Sequence, residues 1–470
     1  MTAKARITAI DRFIKGCRED GIYDDLNACC VMAGWDSLAG ALTPLKGTAP
    51  TNTGFLDADL DRGIGLKGNG SSKYLDSNRG SNADGQNDFH HSLYVSNANS
   101  GNFYYMGQDT GGSTGATAVF RSGSALGYRN RSSGFDAIGL SAKGFLGQTR
   151  ASSSEYSVRS NATSTTQSRA SQSPAAVDVA VYAGSVGFAT AMSDATLSFY
   201  SIGSATDLAL LDARVSTLMA DLRAIEEVGF DRDAIGYLRA VEEADGAFLE
   251  TSVKIAVNNL VSGLKADGLW DAIGSSCLLC GPRTLAGALV PLRGPAPTAQ
   301  GGWASGDYDR ATGLTGEPTA SLYLDSNRAN DADPQDDKHI AVYATVLQSN
   351  AGYYLSSGYN ATSASILRGS GTLLIAYLNG IFNAIGNGHT AAGLLGVSRD
   401  NGASHVIRGS GLEADVASVS QPAPSSASIK VFGEVYSDAT IAFYSIGTSL
   451  DLAKLDTHIS SYVTAIGAAI

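Results

Sequence analysis

The 470-residue chain is predicted to be mainly β: two tandem β-sandwich or jelly-roll domains, joined and flanked by amphipathic helices. Three observations point there. Long phrases occur twice in the same order: LAGAL at 38–42 and 285–289, YLDSNR at 74–79 and 323–328, FYSIG at 199–203 and 443–447. Between them, short alternating runs are bounded by Gly, Ser and Asn, as half-buried antiparallel strands are. The composition agrees, with 55 glycines and only 17% charged residues.

In chain order, residues 1–20 form an amphipathic helix whose Ile10, Phe13, Ile14 and Cys17 answer to Val257, Leu260, Val261 and Leu264. REDGIYDDL (18–26) then answers KADGLWDAI (265–273). Prolines in LTPLKGTAPT and LVPLRGPAPT forbid helix there and predict an extended edge segment. After YLDSNR comes a polar loop and an alternating strand, with Leu93 and Val95 in one copy and Val342 and Ala344 in the other. Short strand-like runs follow: NFYYMG, TAVFRSG and GFLGQTR, then GYYLSSG, SILRGSG and GLLGVSR in the second copy. At roughly 8 to 12 residues apart, with turns between, such runs indicate a sandwich. The predicted division is an N-terminal helix 1–20, a first sandwich 21–203, a helical connector 204–267, a second sandwich 268–447 and a C-terminal helix 448–470. The copies diverge most at 108–117 against 358–365 and 152–173 against 400–425, which read as recognition loops on rigid strands.

The helices that close each copy carry a narrow stripe. In the first it runs Leu208, Leu211, Val215, Leu218, Leu222; in the second, Leu452, Leu455, Ile459, Tyr462, Ile466. Ser204 with Asp207, and Thr448 with Asp451, have capping-box spacing ahead of them. A 3-4 stripe this narrow is the seam of a coiled coil, predicting a homo-oligomer; a helix lying on its own domain is the other reading.

A formal charge of −12 argues against a nucleic-acid partner, because no basic stripe meets the phosphates. No apolar run reaches the roughly 18 to 20 residues of a membrane span. Residues 1–20 lack the apolar core of a secretory signal. Cys17, Cys29, Cys30, Cys277 and Cys280 do not make a disulfide framework. Cys277 and Cys280 form a CxxC, but the other copy has Ala33 opposite Cys280, so buried structural thiols are expected rather than a zinc site.

For chemistry, glycosidases need two carboxylates about 5 to 10 Å apart. The nearest glutamate pairs, Glu226/Glu227 and Glu242/Glu243, fall in the helical stretch and read as a solvated face. No GxSxG elbow is present. No enzyme and no obligatory cofactor are expected. Oxygen side chains recur at Asp76, Asn78, Asn82 and Asp84, and at Asp325, Asn327, Asp331 and Asp333. These residue types suit calcium, although no bidentate Glu closes the loop and Asp and Asn also build turns by themselves. Arg79 and Arg328 are expected to pair with these acids, and His90 and His339 to be hydrogen-bonded at a strand entry. Tyr104, Tyr105, Tyr353 and Tyr354 are the candidate glycan-binding aromatics, or core rings.

The strand near YLDSNR, the HHSLYVS strand and the closing FYSIG strand-plus-helix resemble the laminin-G-like or concanavalin A-like sandwich. The phrases LAGAL-PL-GTAPT, YLDSNR-NAD-Q and FYSIG-S-DLALLD further resemble a family of tailed-bacteriophage virion proteins, over nearly the whole chain. That resemblance implies a virion structural protein, trimeric as fibrous phage appendages are. It implies a tail or fibre appendage binding host surface polysaccharide, or else a capsid, neck or tail decoration protein whose ligands are other virion proteins. A polysaccharide depolymerase is a third, weaker implication.

Overall fold

A computed structural model of the chain describes residues 3–98, 101–109, 114–139, 141–187, 191–319, 321–350, 352–358, 364–420 and 424–470. They form two units, Met1–Val228 and Gly229–Ile470. Each is an antiparallel β-sandwich with helices laid on one sheet.

The first unit has helix α1 (Ala3–Glu19), a single turn α2 (Leu38–Ala41) and helix α3 (Leu208–Glu226). One sheet runs Thr163–Ser168, Glu155–Ser160, Gly144–Arg150, Phe89–Asn97, Thr196–Gly203, Gly65–Lys67, Leu60–Asp61, with Leu26–Val31 also on Thr196–Gly203. The other runs Asp136–Ile138, Ala125–Ser132, Ala116–Ser122, Tyr104–Gln108, Asp178–Val181, Tyr74–Gly80, Thr51–Thr53. The central strand Thr196–Gly203 is buried on both faces, and alternation divides it. Leu197, Tyr200 and Ile202 enter the core between the sheets, while Phe199 packs under α1 and α3 against Phe13, 5.9 Å away.

The second unit repeats this plan. Helix α4 (Arg232–Asp245) precedes α5 (Thr251–Ala266), then the turn α6 (Leu285–Ala288) and the closing helix α7 (Leu452–Ala469). The larger sheet is centred on Thr440–Gly447 between Ile273–Leu278 and Lys338–Val346. The smaller runs Thr298–Gln300, Tyr323–Ala329, Ser428–Val431, Leu355–Ser357, Ser365–Ser370, Leu373–Leu378, Asn383–Ile385.

Several expectations change here. The stretch 204–267 is divided: α3 belongs to the first unit and α4 and α5 to the second. The stripe Leu208, Leu211, Val215, Leu218, Leu222 is buried in the first unit against α1 and its sheet. Leu452, Leu455, Ile459, Tyr462 and Ile466 are buried likewise against α5 and the second sheet. Neither stripe is an open seam; a pair of antiparallel helices on a sheet needs the same narrow apolar face. The caps are Asp207 and Asp451, not Ser204 and Thr448: Asp207 accepts from the Ala209 and Leu210 amides, and Asp451 from that of Lys454. Residues 155–168 and 404–417 are hairpins that extend the larger sheets, with Tyr156, Val158 and Ser160 alternating inward. Of the other divergent pair, 110–113 and 359–363 lie outside the described residues. Of the four glutamates only Glu243 is solvated; Glu226, Glu227 and Glu242 are buried. Glu226 is buried and joins Arg6 and Arg62, and Glu242 is buried against Lys254 at 2.8 Å.

Inside each sandwich, buried cations tie sheet to sheet. Arg150, fully buried, donates to the backbone carbonyls of Asn130, Ser152, Glu155 and Arg169. Its counterpart Arg399 donates to the carbonyls of Leu378, Asn401 and Ser418. A second cation differs between the copies. In the first unit Arg131, from the smaller sheet, donates to the Ser81 and Gly85 carbonyls with its guanidinium 4.0 Å from the centroid of the Phe89 ring. In the second, the position of Phe89 is Lys338, on the larger sheet, and its ammonium donates to the Asn330 carbonyl, the equivalent of Ser81. The residue at the Arg131 position is Asn379, and both keep a positive φ, 49° and 50°. In each copy one buried cation, supplied from opposite sheets, binds the carbonyl at the start of this loop.

Candidate functional site

The predicted site residues divide sharply by environment. The acids after YLDSNR are engaged by the protein itself. Asp84 takes the Arg79 guanidinium (2.5 and 3.2 Å) and Asn27, and Asp333 takes Arg328. Asp76 and Asp325 accept the amides of Asn78 and Asn327 at 2.9 Å, turns closed by short polar side chains. Asn78 and Asn327 reach back to the Ala49 and Ala296 carbonyls, both at φ just above 50°. Asp178 comes beside Asp76 and its carboxyl is raised by burial and by that neighbour, whereas Ser428 stands there in the second copy and donates to Asp325. Asn82 lies beside Gly80, and Asp331 is exposed. No three carboxylates, histidines or cysteines converge among the described residues. Asp76, Asp84, Asp325 and Asp333 thus already accept hydrogen bonds within turns and ion pairs, whereas Asp331 stays exposed.

The thiols and imidazoles are equally occupied. Cys277 points between the sheets and Cys280 toward the helices, so the CxxC straddles a sheet and its sulfurs face apart. Burial pushes both thiols up to about 12, so each is protonated in its packed surroundings. His90 bridges the Ser204 carbonyl (2.5 Å) and Ser201 hydroxyl (3.0 Å); His339 does the same with Thr448 (2.5 Å) and Ser445 (2.7 Å). Burial pulls both down to about 4, so they are neutral clamps between the closing strand and its helix.

The tyrosine pairs split across the smaller sheets. Tyr105 and Tyr354 are core rings with no exposure, contrary to a glycan role. Tyr353 is 5% exposed, packed with Ala364 and Ile366 and overlaid by the Arg368 guanidinium. Tyr104 alone opens outward. A bulge at Tyr105 turns Tyr105 and Met106 inward together and leaves Tyr104 opposite Phe120 on the outer face.

There Tyr104 begins a row of three rings. Its centroid is 5.1 Å from that of Phe120, which is 5.1 Å from Phe135 in an edge-on contact, and Phe135 is 47% exposed. Two glycines seat the row. A Cβ on Gly127 would lie 2.3 Å from the Phe120 ring, and one on Gly184 would lie 3.1 Å from that of Tyr104. The rings are thus held against bare backbone rather than free to rotate. Polar groups flank them: the Arg129–Asp109 pair (2.9 Å) beside Tyr104, and Asp136 gripped by Arg169 (2.8 Å) next to Phe135. The Arg129–Asp109 pair is buried, so only the Asp136–Arg169 pair borders the row at the surface.

Among the described residues the second unit has no such row. Arg368 replaces Phe120 and Ile375 replaces Gly127, leaving Phe382 (49% exposed) against Tyr377 at 5.8 Å. Phe120 and Phe135 escape a reading that looks for paired tyrosines. The signal available for Phe135 was the repeated phrase FDAIG at 135–139 and FNAIG at 382–386.

No family model matches the chain, and no curated protein matches it. Solved structures give distant likenesses. Domains LG4-5 of the mouse laminin alpha1 chain are 8% identical, with 78% of this chain and 84% of that chain covered and a TM-score of 0.22. The binding domain of Paraclostridial Mosquitocidal Protein 1 is 10% identical, with 92% and 96% covered and a TM-score of 0.25. A mutant Trypanosoma rangeli sialidase displaying trans-sialidase activity is 10% identical, covering 46% of this chain and 39% of that one, with a TM-score of 0.30. The chain is a tandem β-sandwich protein.

Proposed function

We propose that the protein is a non-enzymatic virion protein, a tail or fibre appendage that binds host surface glycans through the outer face of its first sandwich. The observation that supports this most is the seated row Tyr104–Phe120–Phe135, in which two half-buried rings lead to the exposed Phe135 beside the Asp136–Arg169 pair, with no such row among the described residues of the second unit. The first unit then binds and the second spaces or supports it. Glycan-array binding by the intact chain tests the reading. Phe135→Ala and Phe120→Ala should each lower binding to the array ligand about tenfold or more, a loss of about 1.4 kcal/mol or more. Phe382→Ala should leave it unchanged. Binding that survives both substitutions, or no glycan bound at all, would count against the proposal.

A decoration or scaffold subunit is the second reading, favoured by one observation. A groove of about 460 Å³ between α1 and α3 is lined by Ala5, Thr8, Ala224, Ile225 and Val228, the last 65% exposed. Gold-labelled antibody on intact particles separates the two: distal label supports the appendage, label on capsid or neck the decoration protein.

A further inference from the structure

The duplication supplies an internal control for one bare surface. In the second unit, α4 lies along one flank of α5. Its Ala234, Tyr237, Leu238 and Val241 share a core with Val257 and Val261 of α5. Polar contacts fix its register at three points. Lys265 binds Asp231 (2.7 Å) and Asp233 (2.5 Å) at the start of α4, Asn258 accepts the Asp231 amide at 2.7 Å, and Lys254 pairs with Glu242 at the far end. Lys265 is itself steadied over the Trp270 ring, which Arg293 shares from another side.

In the first unit no described helix covers the same flank of α1. Lys254, Val257, Val261 and Lys265 correspond to Ile7, Ile10, Ile14 and Arg18. Ile7 is 63% exposed where Lys254 is 5% exposed, and Ile10 and Ile14 are only partly covered. The receptor for the helix start is nevertheless intact. Arg18 lies over the Tyr23 ring at 4.7 Å, and Lys46 shares that ring at 4.9 Å, just as Lys265 and Arg293 share Trp270. Arg18 makes no ion pair with a described residue. Asp11 stands where Asn258 accepts an amide, with its carboxylate exposed beside Lys15.

We infer that this flank of the first unit docks an amphipathic helix of a partner protein, one that opens on an Asp-x-Asp cap and carries an apolar stripe. The cap carboxylates meet Arg18, the first free amide meets Asp11, and the stripe covers Ile14, Ile10 and Ile7 in that order. The replacement of Lys254 by Ile7 makes the far end apolar, so the partner needs an aliphatic residue where α4 has Glu242. A helix so capped gains from negative charge at the N-terminal end of its dipole as well as from burial. The flank lies apart from the groove between α1 and α3, and from the aromatic row.

The probe is a fluorescein-labelled peptide of residues 229–250 of this chain, with Glu242→Leu, titrated by anisotropy against the full-length protein. Saturable binding is expected, weakened tenfold or more by Ile7→Asp or by Arg18→Glu in the protein. Asp231→Asn with Asp233→Asn in the peptide should weaken it as much. Thr8→Glu, on the other flank of α1, should not change it. Absence of binding, or binding indifferent to Ile7→Asp and Arg18→Glu, would overturn the inference. So would binding abolished by Lys265→Glu, because the peptide would then be exchanging with α4 in the second unit.

Discussion

Lys338 is fully buried, and burial pulls its ammonium down from 10.5 to about 8. In the unfolded chain it keeps its proton to about pH 10.4. Between those values the unfolded state binds more protons than the folded one, so stability contributed here rises as pH climbs from about 8 to about 10.5. The full effect is about 3 kcal/mol. Urea midpoints of the wild type and of Lys338→Met across that range measure it, with the difference moving in favour of the wild type at high pH. A difference that does not change with pH would show that the site holds its charge without penalty. This residue was illegible in the sequence, because a lysine opening a strand reads as an edge cation. The paired Arg79–Asp84 was legible, since each copy repeats both partners within one phrase, and the two histidines were legible as aligned strand-entry residues, although their partners lie far off in the closing strand and its end. The tyrosines were half legible: adjacency guaranteed opposite faces, but the bulge decided which ring went out.

At the level of elements, α3 and α7 show how far periodicity reaches. The 3-4 spacing located both helices and their buried residues, yet it is the same for a partner strand of coiled coil and for a sheet of the same unit. Leu211 is fully buried in the first unit's own helix layer, so Leu211→Ala should cost about 2 to 5 kcal/mol in chemical denaturation of that unit. Its sedimentation under native conditions should not alter; dissociation of an oligomer by this substitution would restore the seam. A trimer, in the virion or outside it, has to be built on other surfaces. Gly127 makes the analogous point for a strand. Its position beneath Phe120 means that Gly127→Val displaces the ring and should abolish glycan binding with the fold retained by circular dichroism.

For the whole molecule, the duplication was plain from repeated phrases, but the boundary was not. Reading helix as connector places a cut at 203/204, whereas packing places it at 228/229. The difference is decisive for expression. Residues 1–228 should fold alone, while residues 1–203 would expose Phe13, Phe199 and Val31 where α3 had lain, and should aggregate; gel filtration of the two segments tells which division holds. The two halves have also ceased to be interchangeable. Arg131 and Phe89 in one, and Asn379 and Lys338 in the other, solve the same problem with parts from different strands. A crossover between the halves that carried one of those strands without the other would leave two cations competing for one loop, or none. Such hybrids would be destabilised whatever the ligand, so each of these strands is tied to the partner strand of its own copy.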